Sequence, residues 1–299
     1  MPAVTAIGEI LFDVYPTSKA LGGAPINFLY HIFKLTGQGT IVSRVGHDVL
    51  GENVRRFLTN NGIQTNYIQD ELNHPTGITN VTLDEQKVPT FNIDTERAYD
   101  FIENTPELQT LIDSKTDCLY FGSLAQRNDV SRSTIQSLFG KNIKYFCDLN
   151  IRQNFHSKDI IIRSIKTADV LKVNIDELQF LHDFFIKNKF DLMKSSFELM
   201  KQFKIELLAV TKGAMGSTLI KNENVDHFKI DPLEVVDTLG AGDAFASILC
   251  AGYLENWNLG TINQLANEFA VEICKNKGAL PESDSVYDTF KRKIENARR

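Results

Sequence analysis

No apolar run in this chain of 299 residues approaches the ~18 that a membrane-spanning helix needs, so no spanning segment is expected. The start is not basic either. It carries Glu9 and Asp13 where a secretory leader would place Lys or Arg, so no leader is visible. Positive charge is outnumbered, with Lys+Arg 32 against Asp+Glu 38 and a net charge of −6. That argues against a nucleic-acid or anionic-membrane partner, although a local basic pocket stays open. The four cysteines (Cys118, Cys147, Cys250, Cys274) include no C-x-x-C pair, and each lies in an apolar run. They read as buried, reduced thiols. The six histidines show no H-E-x-x-H spacing. Two nucleotide fingerprints are missing as well. Walker A needs Gly-Lys-Ser/Thr, and Thr211-Lys212-Gly213 has its Lys on the wrong side. The dinucleotide pattern needs a third Gly where Phe245 stands. A soluble, cytoplasmic protein is expected. At 42% hydrophobic and 23% charged residues it can bury a full core.

What is present is a corner. Val235-Val236-Asp237-Thr238-Leu239-Gly240-Ala241-Gly242-Asp243-Ala244-Phe245 begins as an apolar, β-leaning run and passes through a turn of small residues. An apolar helix is expected straight after it, over Ala244–Tyr253. Gly240 and Gly242 let the backbone turn tightly and approach a ligand. The first N–H groups of a helix have no partner within it, and its dipole favours negative charge there, so phosphate is the natural guest. Asp243 has two readings. It is the helix N-cap, or it faces a hydroxyl about to attack that phosphate and takes its proton as general base.

Elsewhere strands and helices alternate, which predicts a mostly parallel sheet sandwiched by helices, an α/β fold. Strands are expected over Thr5–Val14 (broken at Gly8-Glu9), Thr40–Val45, Asp117–Ser123, Ile143–Asp148, Ala168–Asn174, Glu206–Thr211 and Gly216–Ile220. Helices are expected over Asn27–Leu35, from Gly51 to about Asn60, over Ser131–Phe139, in 178–204, and over Thr261–Asn276 as the last. Residues 64–100 break the rhythm. Thr76–Asp84 and Val88–Ile93 read as a hairpin turning at Asp84–Lys87. With residues 10–22 it is expected to form a small antiparallel lid that keeps water from a phosphoryl donor. No repeat or linker appears, so residues 1–299 read as one domain with the lid inserted.

Ligands in such sheets sit beyond the carboxyl ends of the strands, which gives polar residues there extra weight. Asp13 interrupts an apolar stretch, either needing donors or marking an exposed strand end. Arg152 carries a planar fork suited to phosphate or hydroxyls, or else makes a surface ion pair. Asn174 followed by Glu177 fits a capping box. Phe91 faces a ligand or fills a small lid core.

Asp237 to Asp243 resembles the C-terminal signature of the ribokinase-like (PfkB) family of carbohydrate kinases. Gly22-Gly23-Ala24-Pro25-Ile26-Asn27-Phe28 resembles its N-terminal signature. Two signatures in this order are far more specific than either alone. The similarity runs through nearly the whole chain and is closest to the fructokinase branch, which Ala98-Tyr99-Asp100-Phe101-Ile102 also resembles. Asp148-x-Asn150-x-Arg152 looks like a pattern of fructokinases and of 2-keto-3-deoxygluconate kinases.

The resemblance implies a ribokinase-like fold, ATP with Mg²⁺, and a small-molecule sugar. Asp243 would be the base, and the N–H groups of Gly240, Ala241 and Gly242 would stabilise the transferred phosphoryl, with Arg152 at the phosphate or the sugar. Asp13 would bind sugar hydroxyls, Gly22 and Gly23 would let the backbone approach, and Asn27, Phe91 and Asn150 would complete the sugar site. Asn174 and Glu177 would hold the Mg²⁺ shell through waters. Thr211, Gly213 and Gly216 would form the nucleotide loop, with Asn267 and Ala270 lining the adenine pocket. In some relatives carbonyls near Asp237 and Gly278 hold a monovalent cation such as K⁺, and in many the lid edge makes a homodimer. A fructokinase producing fructose 6-phosphate is expected. The alternatives are a kinase for 2-keto-3-deoxygluconate or a nucleoside, and, from another class, a non-catalytic sugar-binding regulator. A substrate carboxylate should demand more basic residues in the lid, where Arg97 is the only Arg. A regulator could dispense with Asp243 and the glycine turn, yet both are intact.

Overall fold

Leu207, Leu208, Ala209 and Val210 follow one another with no polar residue between them, and all four are fully buried. Such a strand must be covered on both faces. The computed structural model describes residues 2–83, 89–186, 188–231, 235–281 and 283–298, and it meets that need with a sheet between two helical layers. Among the described residues nine strands form it, in the order Asn224–Phe228, Ser217–Lys221, Leu207–Thr211, Val170–Asn174, Lys144–Asp148, Cys118–Phe121, Val4–Ile7, Thr40–Gly46, Ile68–Glu71. Neighbours from Leu207–Thr211 to Ile68–Glu71 are parallel. The two strands at the other edge join antiparallel.

Alternation along the strands divides the core in two. Val4, Tyr120, Phe146, Val170 and Leu207 face the helices Ala24–Thr36, Ala241–Leu254, Leu259–Ile273 and Ser285–Ala297. Ile7, Leu119, Tyr145, Leu171 and Leu208 face the other layer, which includes Ile175–Phe185 and Leu192–Phe203. On the first face Phe28 stacks on Tyr120, with ring centroids 3.8 Å apart. The same alternation puts Asp148 and Lys172 on this face, as buried charges on a mostly apolar surface.

A second sheet stands apart, in the order Lys19–Gly22, Leu11–Val14, Gly77–Leu83, Pro89–Ile93. It differs from the expected lid in two ways. Its central pair, Leu11–Val14 with Gly77–Leu83, is parallel, so the sheet is mixed rather than antiparallel. The reason is that each of these strands continues from a parallel strand of the main sheet, Val4–Ile7 or Ile68–Glu71, and both chains leave that sheet at the carboxyl ends of its strands. The span 64–100 is also divided: Ile68–Glu71 belongs to the main sheet, and Ala98–Phe101 is a short 3₁₀ turn beside Thr40–Gly46. The turn expected at Asp84–Lys87 lies outside the described residues.

Two further expectations fail. Val235 and Val236 stand in no strand and are 48% and 68% exposed. Their segment is held instead by the N–H groups of Val236 and Asp237, which donate to the Cys274 carbonyl. The helix ending at Ile273 is not the last, because Ser285–Ala297 follows and buries Tyr287, Phe290 and Ile294. All four cysteines are free and buried. No helix among the described residues is long and apolar enough to cross a membrane.

Candidate active site

The helices Ala24–Thr36 and Ala241–Leu254 pack together, and neither N-terminus has a side-chain cap. Each begins on a glycine with positive φ: Gly23 at 114° and Gly240 at 76°. A Cβ on Gly23 would stand 2.5 Å from the Glu9 carbonyl oxygen, and one on Gly240 would stand 2.4 Å from Ala279 Cβ, so neither place admits a side chain. Gly240 is therefore the N-cap, and Asp243 is the third residue inside the helix rather than its cap. The two helix starts are joined by one hydrogen bond, in which Asn27 Nδ2 donates to Asp243 Oδ2 at 2.8 Å.

Removal from water raises Asp243 from its ordinary 3.8 to about 6. Asp148 pushes in the same direction, while the Asn27 hydrogen bond, Lys172 and Arg152 pull back. Asp13, only 6% exposed, is likewise raised by burial to about 6, with Arg152 lowering it and Asp237 raising it. Gly22 leaves room for that carboxylate, since a Cβ there would stand 2.9 Å from Asp13 Oδ2. Arg152 is exposed and its guanidinium makes no hydrogen bond or ion pair among the described residues, so the surface ion pair is not found. Its charge instead acts on Asp13, Glu9 and Asp243. The arrangement gathers two carboxylates, a guanidinium and the first amides of a helix around one corner, where the Ala241 N–H donates to the Thr238 carbonyl at 3.3 Å. It can accept a proton from a hydroxyl and stabilise charge on a phosphate.

The loop that carries Arg152 is pinned. Asn150 and Gln153 both have φ of 45°. Ile151 N–H donates to Glu177 Oε1 and Asn174 N–H to Glu177 Oε2, each at 2.8 Å. Asn174 and Glu177 form the expected capping box, and burial raises the Glu177 pKa. Each Glu177 oxygen thus has one acceptor site left. Among the described residues no group of three or more His, Cys, Asp or Glu converges to hold a metal.

Thr211 and the turn Gly213–Met215 lie at the exit of the next strand, and Gly213 faces open space. Gly216 has a packing reason, because its Cβ would stand 2.1 Å from the Phe228 carbonyl oxygen. Asn267 is buried, and its Nδ2 donates to Ser217 Oγ and to the Asn263 carbonyl, each at 2.7 Å. Phe91, 38% exposed on the outer strand of the second sheet, does not fill a lid core. Gln153 reaches that strand at 3.4 Å from the Phe91 carbonyl oxygen.

Two residues escaped sequence reasoning. Glu9, in the link between the two sheets, is buried, and its Oε2 has no hydrogen-bond partner. Burial raises it from 4.5 to about 7; the Asp243 charge adds to this, and nearby backbone N–H groups and Arg152 oppose it. Lys172 is 7% exposed, with Nζ 2.9 Å from both carboxylate oxygens of Asp148. A lysine inside the apolar strand Val170–Asn174 was the available signal, since lysine is almost never fully buried unless paired.

A family model described as pfkB family carbohydrate kinase matches residues 5–285. The chain is 27% identical over 282 residues to a fructokinase of Klebsiella pneumoniae, covering 90% of each. Among solved structures it is similar to an uncharacterized sugar kinase of Pyrococcus horikoshii, with a TM-score of 0.85, 25% identity and 99% of both chains covered. It is also similar to a double mutant of fructokinase from Vibrio cholerae O395 in a fructose-, ADP- and potassium-bound form. There the TM-score is 0.78 and the identity 25%, covering 96% of this chain and 97% of that one.

Proposed function

From the premise that the chain belongs to the pfkB family of carbohydrate kinases and transfers phosphate to a sugar hydroxyl, we propose that its sugar is D-fructose and its product fructose 6-phosphate. The sugar rests on the similarity to fructokinases, and what carries the chemistry is Asp243, fixed by Asn27 at a helix start without a side-chain cap, beside Arg152. In this reading Asp243 Oδ takes the proton of the attacking hydroxyl as the O–P bond forms. The amides of Gly240, Ala241 and Gly242, with Arg152, hold the charge that builds on the phosphoryl group. Asp13, Gly22, Gly23, Phe91 and Asn150 frame the sugar, and the mixed sheet closes over it. Asn27 serves the base through Nδ2, and its Oδ1, which has no partner among the described residues, is left for a sugar hydroxyl. Thr211 and Gly213 border the nucleotide.

Mg²⁺ travelling with ATP would neutralise the phosphates, and Glu177 and Asn174 suit its outer shell through waters. A K⁺ site fits the two loops that Asp237 ties together by accepting from the N–H groups of Leu239 and Gly278. A homodimer through the second sheet and a cytoplasmic location complete the proposal. Support for the first is that both outer strands have an unpaired side among the described residues; for the second, that four buried thiols stay free.

The test is a panel of sugars with ATP and Mg²⁺, following ADP release in the wild type and in Asp243→Ala. Fructose should rank first, and the variant should lose ~10²–10⁴ in turnover while still binding both substrates. Fructose ranking well below another sugar overturns the substrate. Near-normal turnover in Asp243→Ala overturns the base.

A further inference from the structure

A buried lysine is retained where something needs its charge. Asp148 answers for part of that need at Lys172, since its carboxylate lies 2.9 Å from Nζ on both oxygens and also accepts from the Tyr120 hydroxyl at 3.2 Å. A structural ion pair would be satisfied there, but the position of the ammonium is not explained by it. A Cβ on Gly242 would stand 3.3 Å from Nζ, so the ammonium lies against the second residue of the helix Ala241–Leu254. That is the positive end of the helix dipole, where a cation is unfavourable and an anion welcome. The helix has no side-chain cap to offset it. An ammonium also has three N–H donors, and Asp148 offers only two oxygens.

We propose that Lys172 is a further residue of the phosphoryl-transfer site. Asp148 holds its ammonium beneath Gly242, so that it acts with the amides of Gly240–Gly242 on the charge developing on the transferred phosphoryl group. This rests on the assignment of Asp243 and its glycine corner. Burial opposes the charge of Lys172, but Asp148 beside it, with Glu177 and Asp243 further off, outweighs that and keeps the lysine protonated. The glycine at 242 then has a second purpose, since even a Cβ there would stand 3.3 Å from Nζ and make the ammonium give way by a few tenths of an ångström.

The experiment compares Lys172→Met with the neutral pair Asp148→Asn/Lys172→Met, reading melting temperature, kcat, both KM values, and binding of ADP with aluminium fluoride. Lys172→Met should lower kcat by ~10²–10³, the range seen when one donor to a developing anion is removed, with both KM values within a few-fold. It should also lose tight binding of ADP–aluminium fluoride while ADP alone still binds. It will melt earlier, because it strands a buried carboxylate. The double variant removes that carboxylate, so it should regain the melting temperature but not the kcat. Recovery of kcat in the double variant, or a wild-type kcat in Lys172→Met, overturns the inference and leaves a purely structural pair. Should Lys172→Met not fold, the double variant alone decides. An inactive Asp243→Ala beside an active double variant sinks only this inference, whereas an active Asp243→Ala sinks the corner itself.

Discussion

Replacing Asn27 with alanine isolates what tunes Asp243, the proposed base. Its Nδ2 donates to Asp243 Oδ2 at 2.8 Å, and this bond is one of three influences holding the Asp243 pKa down to about 6 against burial and Asp148. A hydrogen bond to a charged group contributes about 1.5–3 kcal/mol. At about 1.4 kcal/mol per pKa unit, its loss should raise Asp243 by one to two units, to between about 7 and 8. The base works only when ionised, so activity falls as pH drops through its pKa. The acid limb of kcat, measured from pH 5 to 9 with both substrates saturating, should move up by that interval. At pH 6 the wild type is about half ionised and the variant at most about a tenth, so kcat there should fall about fivefold or more. Near pH 9 most of it should return. An acid limb that stays near pH 6, with the sugar KM raised at every pH, would refute the reasoning. Asn27 would then serve a sugar hydroxyl and not the base.

Glu9 should limit stability at neutral and alkaline pH. Its folded pKa is raised from 4.5 to about 7, so its favourable contribution is complete below 4.5 and is lost as pH rises through 7. At about 1.4 kcal/mol per unit, Glu9→Gln should be more stable than the wild type by up to about 3 kcal/mol at pH 8 and equal to it at pH 4.5. Denaturant melts at the two pH values check this, and a pH-independent difference refutes it. Gly240→Ala should lose both stability and turnover. It must adopt φ of 76° and place Cβ 2.4 Å from Ala279 Cβ, where the left-handed backbone alone costs about 1–2 kcal/mol. An unchanged melting temperature would show that the corner does not touch Ala279.

Features governed by neighbours in the chain were legible before any coordinates. Gly240-Ala241-Gly242 followed by an apolar run dictates a turn and a helix start. Asn174 with Glu177 dictates a capping box, and both are found. The alternation of strands and helices required a covered parallel sheet. Fold and family could be read from these elements together, because each rests on contacts within a few residues and on a period that burial imposes.

What lay out of reach depends on the order in which strands lie side by side. Which way Leu11–Val14 runs against Gly77–Leu83 follows from two parallel main-sheet strands that both lead into the second sheet from their carboxyl ends. That Asn27 meets Asp243, 216 positions away, depends on two helices packing on the same face. Lys172 under Gly242 and the unpartnered Glu9 belong to the same class. The chain alone determined that a glycine corner with a carboxylate in the first turn of a helix would form. The tertiary structure decided which buried charges surround that carboxylate. Its pKa is set by distance and burial, and neither is a property of spacing along the chain.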